Sequence, residues 1–425
     1  MAAAAWLGWA EGLAVQPDLS VSDWAAEHRI LVPPDPEPGP WRNDRTPYLT
    51  GIMDVCSPEH PAKHITGMMG VQIGKTSFAL NVAGWAVYTG GHSIVIGVPA
   101  EADAKEWSAR MMSMLSSSGV GDSQLFESRG PKKAGQISTR MLYRANGTQI
   151  KFGWSGSPRT FAMTQASIVI GDGVYRLTIR KKGGAPEDLL ANRATTAGRP
   201  KIILISSPVV ESVSRIYAKF REGDQRLYFV PCPHCGHYQT LEWDRMTWPR
   251  RPDYQETAGQ HLARCSEIAM RCIACDQMIP ERAKGQFLTS GLWLATQGRE
   301  DFAARGFAGS DLQAMAPIFS EMGRAVYVSF QLSSLYAPWG WKGASWPDLA
   351  MAWERAKGDT EKYKAFVTTR LARPWKDNAQ RPEAEAIAET RRLSYAEGTV
   401  PIGAAVLTVA VDVQPDRLEY EVLGH

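Results

Sequence analysis

The stretch Gly70-Val71-Gln72-Ile73-Gly74-Lys75-Thr76-Ser77 constrains this chain more than any other, because it leads straight into "TSFALNVAGWAVYT", an apolar run that reads as a helix. Gly70 and Gly74 let backbone N–H groups close on an anion at a helix N-terminus. Lys75 adds a point charge for β- and γ-phosphates, and the Thr76 hydroxyl can ligate Mg²⁺. The usual spacing, G-x-x-x-x-G-K-[ST], would put glycine at 69; here Met69 stands there, and the loop is one residue shorter. Gln72 completes the candidate nucleotide-binding set. A later run, "SIVIGD", reads as a buried strand that delivers an acid, Asp172, to an active site.

Around this loop the pattern alternates in α/β fashion from Trp41 to about Pro208. "HSIVIGV", "ASIVIGD" and "KIILIS" are short apolar strands, and "DAKEWSARMMSML" is a helix. Strands apolar on both faces suit a mainly parallel sheet with helices on either side. "MLYRANGTQIKFGW" predicts a hairpin turning on Asn146-Gly147. "LVPPDPEPGP", before this region, is a proline-rich connector that cannot be helix or central strand. At 425 residues two or three domains are expected, and the 44% hydrophobic and 21% charged content describes a soluble globular chain. A net charge of +3 does not by itself indicate nucleic acid. The apolar N-terminus lacks a basic segment and carries Glu11, so it reads as a short helix rather than a signal peptide, and no run is long enough for a membrane span.

Four of the six cysteines fall in two C-x-x-C pairs, Cys232/Cys235 and Cys272/Cys275, separated by 36 residues. Each pair presents two thiolates from one tight turn, and two such turns complete a closed tetrahedral S₄ site suited to structural Zn²⁺. His234 and His237 read as exposed bystanders, and Cys56 and Cys265 as plain thiols.

With these pieces in order, the chain resembles the large terminase subunit of lambda-type tailed phages. The resemblance rests on "PWRNDRTPYLTGIMD", "GVQIGKT", "SGSPRTFAMTQASIVIGD", "ISSPVVESVSRIYAKFREGDQRLYFVPCPHCGHYQTLEW", "GLWLATQG" and "VAVDVQPDRLEYEVLG". It implies a P-loop ATPase fold, a zinc-ribbon insertion and the start of an RNase H-like nuclease. The expected division is 1–40 N-terminal helix and connector, 41–227 ATPase, 228–300 zinc-ribbon-like segment, 301–395 helical connection and 396–425 start of the nuclease. It also implies ATP-driven packaging of double-stranded DNA into procapsids and cutting of concatemers. Its partners would be a small terminase subunit, the portal and further copies of the chain, in the cytoplasm of the bacterial host and without a membrane.

Residue by residue, the resemblance places Lys75 and Thr76 at the phosphate and Mg²⁺ positions and Asp172 at the strand-end Mg²⁺ acid. Ser206-Ser207-Pro208 resembles the motif that senses the γ-phosphate. Trp41, Arg45 and Tyr48 fall where the family approaches the base, and Asp412 matches the first nuclease acid, which would hold Mg²⁺ or Mn²⁺. Two departures stand out. Where the family carries Asp-Glu-x-Asp, this chain has Asp172-Gly173-Val174-Tyr175, and it runs only 13 residues past Asp412. Beside the leading reading of a terminase large subunit, both departures favour, for activity though not for ancestry, a rival: a degenerate prophage remnant that binds nucleotide and zinc without catalysis. Glu101 is the expected candidate to replace the acid absent at 173. A helicase reading lacks a second motor domain. Arg176 to Gly184 reads as a solvated basic loop, Tyr336 to Trp346 as a packed connection, and Asp416, Glu419 and Glu421 as surface charges.

Overall fold

The computed structural model describes residues 19–120, 142–143, 148–157, 165–177, 185–194, 197–251, 255–376, 399–400, 403–413 and 418–424. The N-terminal segment read as a helix, the Asn146-Gly147 turn, residues 178–184 of the basic run and Asp416 lie outside them. The chain forms two compact units, Met1–Lys376 and Asp377–His425.

The first unit is built on a ten-stranded sheet. Its strands are β1 (His64–Met69), β2 (Ser93–Val98), β3 (Leu142–Tyr143), β4 (Gln149–Trp154), β5 (Ile168–Asp172) and β6 (Lys201–Ser206), then β7 (Arg226–Pro231), β8 (Tyr238–Gln239), β9 (Leu292–Ala295) and β10 (Tyr327–Leu332). The order is β8-β7-β10-β1-β6-β5-β2-β4-β3, with β9 also pairing β7. Every pair from β7 through β10, β1, β6, β5 and β2 to β4 is parallel, and antiparallel pairing is confined to β3, β8 and β9. The mainly parallel α/β sheet expected from the apolar runs is present.

Alternation explains why those runs are apolar throughout. Along β6, Ile203 and Ile205 enter one buried cluster, while Ile202 and Leu204 enter another on the opposite face with Val169, Leu190, Ile216 and Phe220. Two helices on the first face matter for the site, α1 (Lys75–Thr89) and α2 (Glu101–Ser117). Helix α1 is buried almost all round, from Phe78 to Val87.

The 301–395 segment, expected as a helical connection, supplies β10, which lies between β7 and β1. Its six residues, Tyr-Val-Ser-Phe-Gln-Leu, alternate with period two, burying Val328, Phe330 and Leu332. Ser329 lies between them and is also buried, its Oγ donating to the Phe220 carbonyl at 2.7 Å, so a polar residue interrupts the apolar run without leaving the core. Helices do follow, at Trp346–Ala356 and Thr360–Ala365. The proline-rich connector is not featureless either: Ile30–Leu31 pairs antiparallel with Gly39–Pro40.

In the second unit, β11 (Leu407–Val413) and β12 (Leu418–Gly424) form an antiparallel pair. No helix among the described residues is long and apolar enough to cross a membrane.

Candidate functional site

Strands β1, β5 and β6 are parallel neighbours, so their carboxyl ends share one rim of the sheet, the rim where open α/β folds take ligands. The phosphate loop leaves β1 after Met69. It passes through Gln72 (φ +57°) and Gly74 (φ +86°) before α1 begins at Lys75. No side chain caps α1, so its first N–H groups stay available at the positive end of the helix. Lys75 Nζ donates to the Met69 carbonyl at 3.2 Å and to Ser207 Oγ at 3.1 Å, and Ser207 Oγ donates to the same carbonyl at 2.8 Å. Burial pulls the Lys75 ammonium down to about 8, against the opposing charge of Asp172. Two candidate residues 132 positions apart are thus in direct contact.

Asp172 ends β5. Burial pushes its carboxyl up from the ordinary aspartate value, and Lys75 is the strongest influence in the other direction. Trp107, on α2, donates from Nε1 to Asp172 Oδ2 at 3.1 Å. Nothing in the sequence singles out this tryptophan, since its role depends on α2 crossing the end of β5. Gly173 follows in a left-handed conformation (φ +73°, ψ +40°) and begins a tight turn over Val174–Arg176. Its N–H donates to the Ile205 carbonyl at 2.9 Å, and Tyr175 N–H donates to Ser206 Oγ at 3.2 Å, tying the ends of β5 and β6 together. Glu101 opens α2, is more than half exposed, and pairs with Lys105 at 3.2 Å. Thr76 is half-buried at the second position of α1.

Beside Gly74 and Ser77 opens a cavity of about 330 Å³ walled by Trp41, Arg42, Arg45 and Trp341. Arg45 Nε donates to both oxygens of Glu37 at 2.9 Å, holding that carboxyl below its usual range. Tyr48, expected near the same place, is fully buried with its ring edge-on to Tyr228, and it does not line this cavity. Trp341 belongs to the aromatic segment Tyr336–Trp346, expected as a packed connection; Tyr336 and Trp346 are buried, but Trp339 is 54% exposed.

The four paired cysteines converge. Their sulfurs lie within 4.8 Å of one another, with Cys232 Sγ–Cys275 Sγ at 3.9 Å and Cys235 Sγ–Cys272 Sγ at 3.8 Å. A tetrahedron of thiolates around Zn²⁺ at ~2.3 Å has sulfurs about 3.8 Å apart, so the set fits that ion. Each turn is built alike: His234 N–H donates to Cys232 Sγ and Ala274 N–H to Cys272 Sγ, both at 3.4 Å. Each also passes through a left-handed residue, Gly236 or Asp276. His234 and His237 lie outside the cluster, bonded to the carbonyls of Met278 and Arg305.

A second group, His261, Cys265 and Glu354, is close enough to suggest a metal, but its carboxylate is already saturated. Glu354 accepts from both Arg264 Nη atoms at 2.7 Å, from Trp248 at 2.8 Å and from His261 at 2.9 Å. Burial pushes the Cys265 thiol up to about 11, away from the thiolate a metal needs.

Asp412 stands on β11 of the second unit, in register with Glu419 of β12.

Residues 35–293 match the ATPase domain of the phage terminase large subunit gpA, and residues 327–425 match its endonuclease domain. The chain belongs to this family. The match to the endonuclease begins at Tyr327, the first residue of β10, so the family boundary cuts through the central sheet. The chain is 30% identical to the large terminase subunit of Escherichia phage lambda over 251 residues, covering 57% of this chain and 35% of that protein. It is 20% identical to the large subunit of Enterobacteria phage P21 over 411 residues, 96% of this chain and 60% of that protein. It therefore spans between a third and two thirds of the length of these two terminases. Among solved structures, the large terminase ATPase domain of Thermus phage P74-26 is 13% identical, with 73% of this chain and 88% of that one covered and a TM-score of 0.36.

Proposed function

We propose that this terminase chain binds Mg·ATP at the rim of β1, β5 and β6 and uses it to drive double-stranded DNA into a procapsid. The observation that carries the reading is the contact of Lys75 with Ser207 at the head of α1, with the Asp172 carboxyl acting on the same ammonium. In this reading Gly70, Gln72 and Gly74 shape the loop, α1 offers its N–H groups to the phosphates, and Lys75 leaves Met69 O for a phosphate oxygen. Thr76 and Asp172 would hold Mg²⁺, which would supply charge neutralisation to the phosphates. Ser207 loses its Lys75 partner when the γ-phosphate is present, and through Ser206 that change reaches the turn at Tyr175. The cavity walled by Trp41 and Trp341 has the aromatic surface and the position to take the base.

The Cys232, Cys235, Cys272 and Cys275 set would hold Zn²⁺ as a structural ion, since four thiolates leave no open position. Asp412 would serve as one metal-binding acid of an endonuclease using Mg²⁺ or Mn²⁺ to cut concatemers. A small terminase subunit, the portal of the procapsid and further copies of the chain would be its partners in the host cytoplasm. The rival reading of a remnant without catalysis gains no support from the family matches, which include both the ATPase and the endonuclease.

The test is binding of a fluorescent ATP analogue with Mg²⁺, with and without DNA. Binding lost in Lys75→Ala and reduced in Ser207→Ala supports the site. Binding that survives both substitutions unchanged excludes it.

A further inference from the structure

The phosphate loop is held from outside by residues far downstream in the chain. Gly70 N–H donates to the Leu332 carbonyl and Val71 N–H to the Thr369 carbonyl, both at 2.8 Å, while Ser334 Oγ donates to the Val71 carbonyl at 2.7 Å. Arg370 Nη1 donates to Gln72 Oε1 at 2.8 Å and to the Gly343 carbonyl at 2.7 Å, spanning 298 residues to reach Gln72. The fit is close: a Cβ on Gly70 would lie 2.8 Å from the Arg370 carbonyl and from Ser334 N. The N–H groups of Gly70 and Val71 are therefore spent on the clamp, and the loop's remaining amides must serve any anion.

The holding segment is itself unusual. Phe366–Arg370 is a π-helical turn, closed by Leu371 N–H on the Phe366 carbonyl at 3.3 Å, and Ala372 follows with φ +52°. Such turns are rare and concentrate at functional positions. Here the turn directs the Thr369 carbonyl, the Arg370 carbonyl and the Arg370 guanidinium at one loop. Gln72 is left-handed without being glycine, a conformation that needs outside support.

We propose that Arg370 is a positioning residue for the phosphate loop, holding it through Gln72 in the shape that accepts a nucleotide. This rests on the nucleotide-binding reading above. Since the π-turn and a bound phosphate act on the same loop, each must change the other's equilibrium by the same factor. ATP occupancy is then felt in the segment 366–376.

The experiment uses the full chain and the variants Arg370→Ala, Gln72→Ala and their combination. Amide exchange of residues 70–74 is followed without nucleotide, and the dissociation constant of a fluorescent ATP analogue is measured. Each single variant should speed exchange and weaken binding about tenfold, the worth of one charge-assisted hydrogen bond. The double variant should be within about twofold of either single one, because both remove the same contact. Gln72 is exposed, so its truncation disturbs no core and covers the case in which Arg370→Ala folds poorly. Losses that add, or exchange rates that do not move, overturn the proposal. So does a lowered melting temperature with unchanged affinity per folded molecule. A wild-type chain that takes up no nucleotide would defeat the ATP reading alone, and the exchange rates would still decide the clamp.

Discussion

Trp107 Nε1 donates a 3.1 Å hydrogen bond to Asp172 Oδ2, so the acid proposed to hold Mg²⁺ is oriented by an indole from a neighbouring helix. Burial raises the Asp172 pKa, and this bond favours the ionised form against it. The ionised carboxylate is lost as pH falls through that raised value. Trp107→Phe keeps most of the ring but removes the donor, which should raise the value further. Mg²⁺-dependent nucleotide binding should then weaken about tenfold at a pH below that raised value and recover at a pH above it. Titrating Mg²⁺ at the two pH values checks this, and an equal loss at both would point to packing instead.

Lys75 gives the opposite pH signature. Burial lowers its pKa from 10.5 to about 8. Between those values the unfolded chain binds the extra proton, so stability rises with pH across that window. Phosphate restores the charged form, so nucleotide binding above about pH 8 should take up a proton. Affinity should then fall with pH, approaching tenfold per unit once the ammonium is mostly neutral. Calorimetry at pH 8.5 in two buffers of different ionisation enthalpy should show uptake of about half a proton or more. Lys75→Met should abolish the uptake.

Local chemistry was readable in the sequence where it depends on spacing. The loop from Gly70 to Thr76, the strand ending at Asp172 and the two cysteine pairs each state their geometry within a few residues. Pairing across the chain was not readable. β10 carries Ser329 and Gln331 among its apolar residues, and only the sheet shows that Ser329 is satisfied by Phe220 and that β10 lies against β1. Trp107 and Arg370 have no motif, since each matters through a partner 65 or 298 residues away. The burial of Tyr48 was hidden for the same reason: the resemblance groups it with Trp41 and Arg45 near the base, and only the structure shows that the helix Pro47–Cys56 turns its ring into the core.

Protein purified without chelator should carry one zinc per chain. Structural zinc contributes roughly 10–16 kcal/mol in small peptides at neutral pH, and four thiolates at these separations meet its geometry. Chelation should unfold the region around 228–280 before the rest, visible as early proteolysis there. Cys272→Ser should lose the ion and lower the melting temperature. Elemental analysis giving under about a tenth of an equivalent would sink this assignment.

Gly173 is expected to limit turnover at the proposed ATP site. The resemblance implies an acid there to orient the attacking water; in this chain Asp172 is the carboxylate acting on Lys75, while Glu101 is paired with Lys105. Loss of a positioned acid/base costs about 10²–10⁴ in rate, so the wild type should bind Mg·ATP and hydrolyse it slowly. Gly173→Glu supplies the group, but the backbone resists it. At φ +73° a side chain is strained by about 1 kcal/mol, and its Cβ would meet Pro99 Cγ at 3.2 Å. The variant should therefore melt at a lower temperature and still turn over faster. Gly173→Ala carries the same backbone strain without the carboxylate and should show only the loss of stability. Single-turnover hydrolysis beside thermal melting separates the two effects. A brisk wild-type ATPase, abolished by Lys75→Ala and indifferent to Gly173→Glu, would place the base on another residue.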